Sequence, residues 1–452
     1  MRRSTVLLAT AIPALSLFAA GEKIDRTRDR EVVIRAVNYD KAKIAPYKLE
    51  DVLEFADGRK VTKADWQERR REILDIFAKE MYGCEPPRPE QVVTDLVDEK
   101  ISAAGFAVRR QYKMYFRADK SGPCINWIVW VPRYARKPVP VISFLNYRGN
   151  YELVPDADIP IMENWVRNSE AFGIIDNRVS PARRGCMQNP SASSVFPLGM
   201  ILARGFAVMS ACYAEVSPDP VRLGLKNPDE FPQEEFSYTG VFELWGKRDR
   251  SRTDNPTALG AWAWALSRGL DLAGRIPGID AKKSVVTGCS RLAKAALLAA
   301  ARDERFAVCV PVQTGGGGVP LAKRDYGENV SIVNRAFTHW YCPAYAKYAA
   351  DPAGTLKFDQ HMLLAAIAPR ALLVEGFDEK WFDTEGEFLA VKAASPAWEM
   401  LCGEGLPDVG WPDDYDLSAV GPRLGYVRRS EEHGISAYDW QWMLDFAERV
   451  FR

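Results

Sequence analysis

The chain reads as an α/β protein with a mostly parallel sheet covered by helices on both faces. Three observations predict this. From about residue 105, short apolar runs alternate with stretches of helical spacing, the pattern of parallel strands joined by helical crossovers. Ile125 to Val131 and Val139 to Leu145 read as buried strands. The β-branched run Ser284 to Thr287 passes through Gly288-Cys289-Ser290 directly into an alanine-rich stretch, Ala295 to Arg302, the layout of strand, sharp turn and helix.

The remaining elements follow in order. Arg2-Arg3, the apolar run Val6 to Phe18 and the small residues Ala19-Ala20-Gly21 predict a signal peptide over 1–21, too short and too interrupted by Pro13 to span a bilayer comfortably. Residues 22–104 are expected as an N-terminal extension packed on the main body, and 105–452 as the catalytic domain. The extension holds one clear helix, about Lys63 to Tyr82. Thr62 with Asp65 resembles a capping box, and Gly83 with Pro86-Pro87 stops the helix. Its stripe Trp66, Ile73, Phe77 and Met81 is a packing face. Pro197 to Arg204 predicts a helix, Gly205 to Ala211 a strand, Pro256 to Leu272 a long helix and Phe306 to Val312 a strand. A helix around Gln360 to Ala368 precedes the strand Ala371 to Glu375, and a last helix runs from about Ala437 to Phe451 with Ser436 and Asp439 at its start.

Composition narrows the function. Sixty basic residues balance sixty acidic ones, so charge gives no reason to expect nucleic acid as a partner. Eight cysteines occur, none in a Cys-x-x-Cys or Cys/His cluster of metal-binding spacing, and no nucleotide-binding motif stands out. No metal, cofactor or membrane span is expected. The leader implies a secreted or periplasmic protein, expected as a monomer.

The turn at Ser290 carries the chemistry. A strand-to-helix turn lifts a Ser hydroxyl above the sheet edge, and the helix N-terminus beneath it favours developing negative charge. The usual nucleophile elbow has Gly two residues after the Ser, where this chain has Leu292, and a Ser at such a junction also serves as a plain helix cap. A nucleophilic Ser needs a His base held by an acid. Only three His are present: 339, 361 and 433. In an α/β-hydrolase the order is Ser, acid, His, with the His late. His433, in the polar loop Arg429 to Gly434, fits that order. His361 lies among apolar residues of an expected helix, and His339 among aromatic ones. The acid should follow a late strand; Asp378 and Glu379, just past Ala371 to Glu375, both qualify.

With those residues placed, the chain resembles the glucuronoyl esterases, family 15 of the carbohydrate esterases, from about Asp51 to its C-terminus. The most specific element is Gly-Cys-Ser-Arg-x-Gly-Lys, present as Gly288 to Lys294 with Ala293 in place of the Gly. Phe358 to Arg370, the Trp381 region with Gly386 to Ala390, and His433 ahead of Asp439-Trp440 resemble the bacterial branch. The resemblance implies an α/β-hydrolase fold and a metal-free serine esterase. Its substrate would be the ester between the 4-O-methyl-glucuronic acid of xylan and lignin alcohols. It implies Ser290 as nucleophile, His433 as base, Arg291 beside the oxyanion, Lys294 and Glu328 on sugar hydroxyls, and Trp381 against the uronate. One departure stands out: where many members carry a Glu acid, after the strand that follows the elbow helix, this chain has Gln313. The later loop, Asp378 or Glu379, is therefore expected to supply the acid.

Two other enzyme readings share this site: a methyl esterase on uronates of pectin-like polymers, and an acetylxylan esterase. A non-enzymatic reading, a carbohydrate-binding protein that kept the fold and lost catalysis, rests on Gln313.

Overall fold

Nine strands form the main sheet: Val93–Ser102 (β1), Ala107–Tyr115 (β2), Cys124–Pro132 (β3), Val139–Asn146 (β4), Ala207–Cys212 (β5), Ile279–Cys289 (β6), Val308–Val312 (β7), Ala371–Phe377 (β8) and Leu424–Arg429 (β9). The computed structural model describes residues 23–25, 31–33, 36–220, 234–377 and 379–452; the expected leader over 1–21 and the candidate acid Asp378 lie outside them. The strand order is β9-β8-β7-β6-β4-β5-β3-β2-β1. From β9 to β5 all neighbours are parallel, and β3, β2 and β1 add on antiparallel. This is the α/β-hydrolase arrangement. Strands β5, β7 and β8 are buried along their whole length, which is why they read as mostly apolar runs, broken only by Ser210 in β5 and Glu375 in β8.

The expected boundary at 104 is corrected by the pairing. Residues 103–105 are the turn between β1 and β2, and the sheet runs across them. The edge strand β1, Val93-Thr94-Asp95-Leu96-Val97-Asp98-Glu99-Lys100-Ile101-Ser102, is half charged and hydroxylic and partly exposed, so it lacks the signature of a core strand. Charges on an edge strand also discourage pairing with other chains.

Helices cover the sheet: Trp66–Phe77 (α1), Leu198–Ala203 (α2), Ala258–Ala273 (α3), Arg291–Arg302 (α4), Val330–Ala336 (α5), Gln360–Ala365 (α6), Thr384–Cys402 (α7) and Ala437–Phe451 (α8). Helix α1 starts three residues later than the spacing predicts, because Asp65 accepts from the Thr62 N–H and hydroxyl (3.0 and 2.6 Å) and holds a turn there. Its stripe is buried, and Trp66 and Arg70 donate to the carbonyls of Ala368 and Ala366 beyond α6. Helix α8 begins with the full capping box of Ser436 and Asp439. The 19-residue α7 has no counterpart in the sequence reading: Gly386 and Pro396 interrupt its pattern, yet tertiary packing of Phe388, Val391, Ala394 and Trp398 sustains it. The alanines of α4 are buried against β6, β7 and α3, where small side chains let the backbones approach.

Six parallel strands therefore end on one edge, and the loops leaving them carry Tyr147 (β4), Asp219 (β5), Ser290 (β6), Gln313 (β7), Glu379 to Trp381 (β8) and His433 (β9). Open α/β sheets bind ligands at this edge.

Candidate active site

Ser290 occupies the turn between β6 and α4 with φ 58° and ψ −126°, a region that a non-glycine residue enters only under constraint. The constraint is visible. Ser290 N–H donates to Val312 O (2.9 Å), the Tyr147 hydroxyl donates to Cys289 O (2.7 Å), and Ala293 N–H donates back to Ser290 O (2.9 Å). A Cβ at Gly288 would lie 2.4 Å from Leu292 O, so the first glycine of the elbow is required while Leu292 itself is tolerated. A strained turn with the N-terminus of a helix beneath it is the layout of a nucleophile elbow. The neighbouring Cys289 thiol is pushed up to about 12 by burial, chiefly, and the nearby Asp439 carboxylate, so it stays protonated at ordinary pH. All eight cysteines are free thiols.

His433 is held from two sides. From beneath, the guanidinium of Arg429 at the end of β9 donates to the carbonyls of Glu432 (3.2 Å) and Gly434 (2.7 Å), while Asp439 pairs with it (2.9 Å). From the side, Gln313 Oε1 lies 2.7 Å from His433 Nδ1 and accepts the Gly434 N–H (2.9 Å). A backbone N–H can only donate, so the Gln313 atom there is an oxygen, and His433 Nδ1 must carry the proton it shares with it. The neutral ring then keeps its lone pair on Nε2. The backbone links this pair to Ser290, because Val312, which receives the Ser290 N–H, is the residue before Gln313. Gln313 itself has φ 54°. The ring of His433 packs against Phe377 and Phe382 (centroids 5.4 and 4.9 Å). Burial, then the charges of Arg291, Arg429 and Lys294, lower its imidazole to about 4.

The expectation that the later loop orients His433 is corrected for Glu379. That side chain is exposed and accepts from Trp381 N–H (3.2 Å), because the turn Lys380–Phe382 directs it outward. The partner at Nδ1 is Gln313.

Arg291, the first residue of α4, points to an anchor the sequence reading missed. Its guanidinium donates to Asp219, which is buried and accepts from His339 Nε2 (2.8 Å) and Trp340 Nε1 (2.7 Å). Trp340 also lies under the cation, 5.0 Å from guanidinium carbon to ring centroid. Burial alone would raise the Asp219 carboxyl; the Arg291 charge and the His339 and Trp340 hydrogen bonds outweigh it and hold Asp219 well below the usual range. Asp219 sits alone in Ser217-Pro218-Asp219-Pro220, a run with no motif and no periodicity. His339, buried among aromatic residues, holds Asp219.

One turn past Ser290, Lys294 is 2% exposed, pairs with Glu328 (3.3 Å) and lies 4.9 Å from the Trp340 centroid. Burial lowers its ammonium from the ordinary range, against the pull of Glu328. Glu328 N–H donates to Trp381 O (2.7 Å), which ties the Glu328 loop to the Trp381 turn. The structure thus brings Ser290, Arg291, Lys294, Glu328 and His433 to one edge, with Trp381 joined through its backbone. A nucleophile, a neutral imidazole, a fixed cation and a buried ion pair can together perform acyl transfer on a polar acyl group.

Comparison with known proteins agrees with this chemistry. A family model described as glucuronyl esterase, fungi, matches residues 234–402. A carbohydrate esterase of an unknown prokaryotic organism is 34% identical over 92% of this chain and 92% of its own. The solved glucuronoyl esterase of Solibacter usitatus is 31% identical with a TM-score of 0.80, covering 91% of this chain and all of that one. The chain belongs to carbohydrate esterase family 15, the glucuronoyl esterases. It is a carboxylic ester hydrolase of the bacterial branch. A promiscuous member of this esterase family from a marine bacterial metagenome is 32% identical with a TM-score of 0.81, over 92% of this chain and all of that one. The glucuronoyl esterase family model spans Ser290, Arg291, Lys294, Gln313, Glu328 and Trp381 and ends before His433.

Proposed function

We propose that the protein hydrolyses esters of 4-O-methyl-glucuronic acid carried on xylan, releasing a lignin-type alcohol through an acyl-enzyme on Ser290. The observation that carries this reading is the buried Lys294–Glu328 pair one helical turn from Ser290, beside the fixed Arg291 cation. A buried ammonium and carboxylate are costly unless they serve, and here they offer one donor and one acceptor group to sugar hydroxyls.

Ser290 Oγ attacks the ester carbonyl carbon as His433 Nε2 takes its proton. The carbonyl oxygen becomes an oxyanion facing the Arg291 guanidinium and the N-terminus of α4. Collapse expels the alcohol, which takes the proton from His433 and leaves the uronoyl group esterified to Ser290. Water then attacks this ester with His433 again accepting a proton, and uronic acid departs as Ser290 regains its hydrogen. Gln313 fixes the tautomer and direction of His433 without neutralising the imidazolium. Trp381 is assigned to the uronate face. Export fits this substrate, and the leader read over 1–21 supplies it; among the described residues no helix is long and apolar enough to cross a membrane.

Hydrolysis of benzyl glucuronate, with methyl galacturonate and an acetylated xylose alongside, tests the assignment. Preferred release of glucuronate supports it. Preferred turnover of galacturonate or acetate would redirect it to the pectin or acetylxylan substrates.

A further inference from the structure

An N-terminal segment, residues 38–41, reaches the loop that leads into the proposed sugar site. Asn38 O accepts the Gly327 N–H (2.9 Å), and Tyr39 O accepts the Tyr326 hydroxyl (3.2 Å). The rings of Tyr39 and Tyr326 meet edge to face at 6.3 Å. Two residues on, Lys41 pairs with Glu385 at the start of α7 (2.8 Å) and lies 5.0 Å over the ring of Trp411. Residues 38–41 are therefore stitched to the loop before Glu328 and to the start of α7. The strap thus lies against the loop that leads into Glu328.

The strap also has a position along the substrate path. Lys294 and Glu328 form a buried floor. Tyr39 is half-buried, and Glu379 beyond it is exposed. The Tyr39 hydroxyl feels both carboxylates: burial first, then Glu379, Tyr326 and Glu328, push it up to about 12. The backbone bond from Gly327, the residue before Glu328, to Asn38, the residue before Tyr39, sets Tyr39 beside that loop. Because Lys294 and Glu328 are buried, a uronosyl unit held on them through its hydroxyls extends its glycosidic link toward solvent.

We infer that the strap Asn38–Lys41 forms an outer carbohydrate subsite, in which Tyr39 contacts the xylo-oligosaccharide that bears the uronosyl ester. An aromatic ring with a hydroxyl suits a sugar, since it offers an apolar face and one hydrogen-bonding group at low entropy cost. This rests on the glucuronoyl reading above and adds a polymer-side contact to it.

The test compares wild type, Tyr39→Phe and Tyr39→Ala on two substrates: benzyl glucuronate, and the benzyl ester of glucuronate linked to a xylotriose. Tyr39→Phe keeps the ring against Tyr326 and controls for folding. Tyr39→Ala should raise KM on the oligosaccharide ester about tenfold, the scale of one lost hydrogen bond with its ring contact, with kcat unchanged. Tyr39→Phe should give a smaller rise, and benzyl glucuronate should stay within about twofold for both. Equal losses on both substrates would assign Tyr39 to the fold or to the floor and overturn the outer subsite, as would no loss on either. Wild-type turnover of benzyl glucuronate is read separately: its absence would overturn the glucuronoyl reading itself, whereas its presence with unchanged ratios overturns only the subsite.

Discussion

His433 shares its Nδ1 proton with the side-chain oxygen of Gln313 across 2.7 Å, and Gly434 N–H fixes that oxygen in place. The amide orients the ring as a carboxylate would but brings no charge. The consequence is a weakly basic histidine, lowered to about 4 by burial and by the cations around it.

Replacing Gln313 separates orientation from charge. Gln313→Ala should lower kcat by two to four orders of magnitude, about the range seen when a triad member is lost or mispaired. Gln313→Glu should raise the imidazole by a unit or more, about what an adjacent opposite charge supplies. The base must be neutral, so activity is lost as pH falls through its pKa. The acid limb of kcat/KM, expected near pH 4 in wild type, should move upward in Gln313→Glu while kcat on the plateau increases. A pH profile from 3 to 8 measures both. Changing Glu379 to Ala should leave kcat within about threefold, since its carboxylate is spent on the Trp381 N–H.

Asp219 holds Arg291, so its charge should matter without touching substrate. Asp219→Asn keeps a hydrogen-bonding shape toward His339 and Trp340 but frees the guanidinium. Kcat should fall roughly ten- to a hundredfold, somewhat less than the loss of an oxyanion donor, with KM little changed. Steady-state kinetics read the split, and a change in KM alone would place Arg291 on the ground-state substrate.

Glu328→Gln should act on binding. It leaves Lys294 buried without its counter-charge, which lowers the ammonium further and weakens its hold on a sugar hydroxyl. KM for benzyl glucuronate should rise about tenfold and inhibition by free glucuronate should weaken in step.

Stability should carry a signature from Glu387. This carboxyl, buried on α7, accepts the Thr314 hydroxyl (3.0 Å) and is pushed up to about 8, mainly by burial. Its folded-state pKa lies above the unfolded one, so the folded state binds the proton more tightly. Its contribution is present in full below about pH 4.3 and is lost as pH rises toward 8. Glu387→Gln should flatten that part of the curve, so that Tm falls less between pH 5 and 8 than in wild type. Thermal unfolding at several pH values decides it.

The legible part of this molecule was what chemistry writes locally. The elbow appears as one uninterrupted run from Ser284 to Arg302, and His433 was found because only three histidines compete for the role. Gln313 was singled out by its departure from a family pattern, but its partner was not foreseen: the expectation moved the acid to the later loop, and the structure instead gives the amide the position itself. Asp219 was invisible for a different reason. Its four partners, Tyr213, Arg291, His339 and Trp340, span more than a hundred residues of sequence, and a buried Asp between prolines reads as a turn. Tertiary packing likewise hid α7, whose Pro396 argues locally against a helix. Strand β1 was missed because an edge strand has one unpaired side, so its charges meet water rather than a core.

The most direct measurement is the release of glucuronate from benzyl glucuronate by wild type and by Ser290→Ala, with folding of both checked by circular dichroism. Wild type should turn over steadily and the variant should lose at least about a thousandfold. Turnover that survives Ser290→Ala, or a folded wild type that hydrolyses no ester, would contradict this.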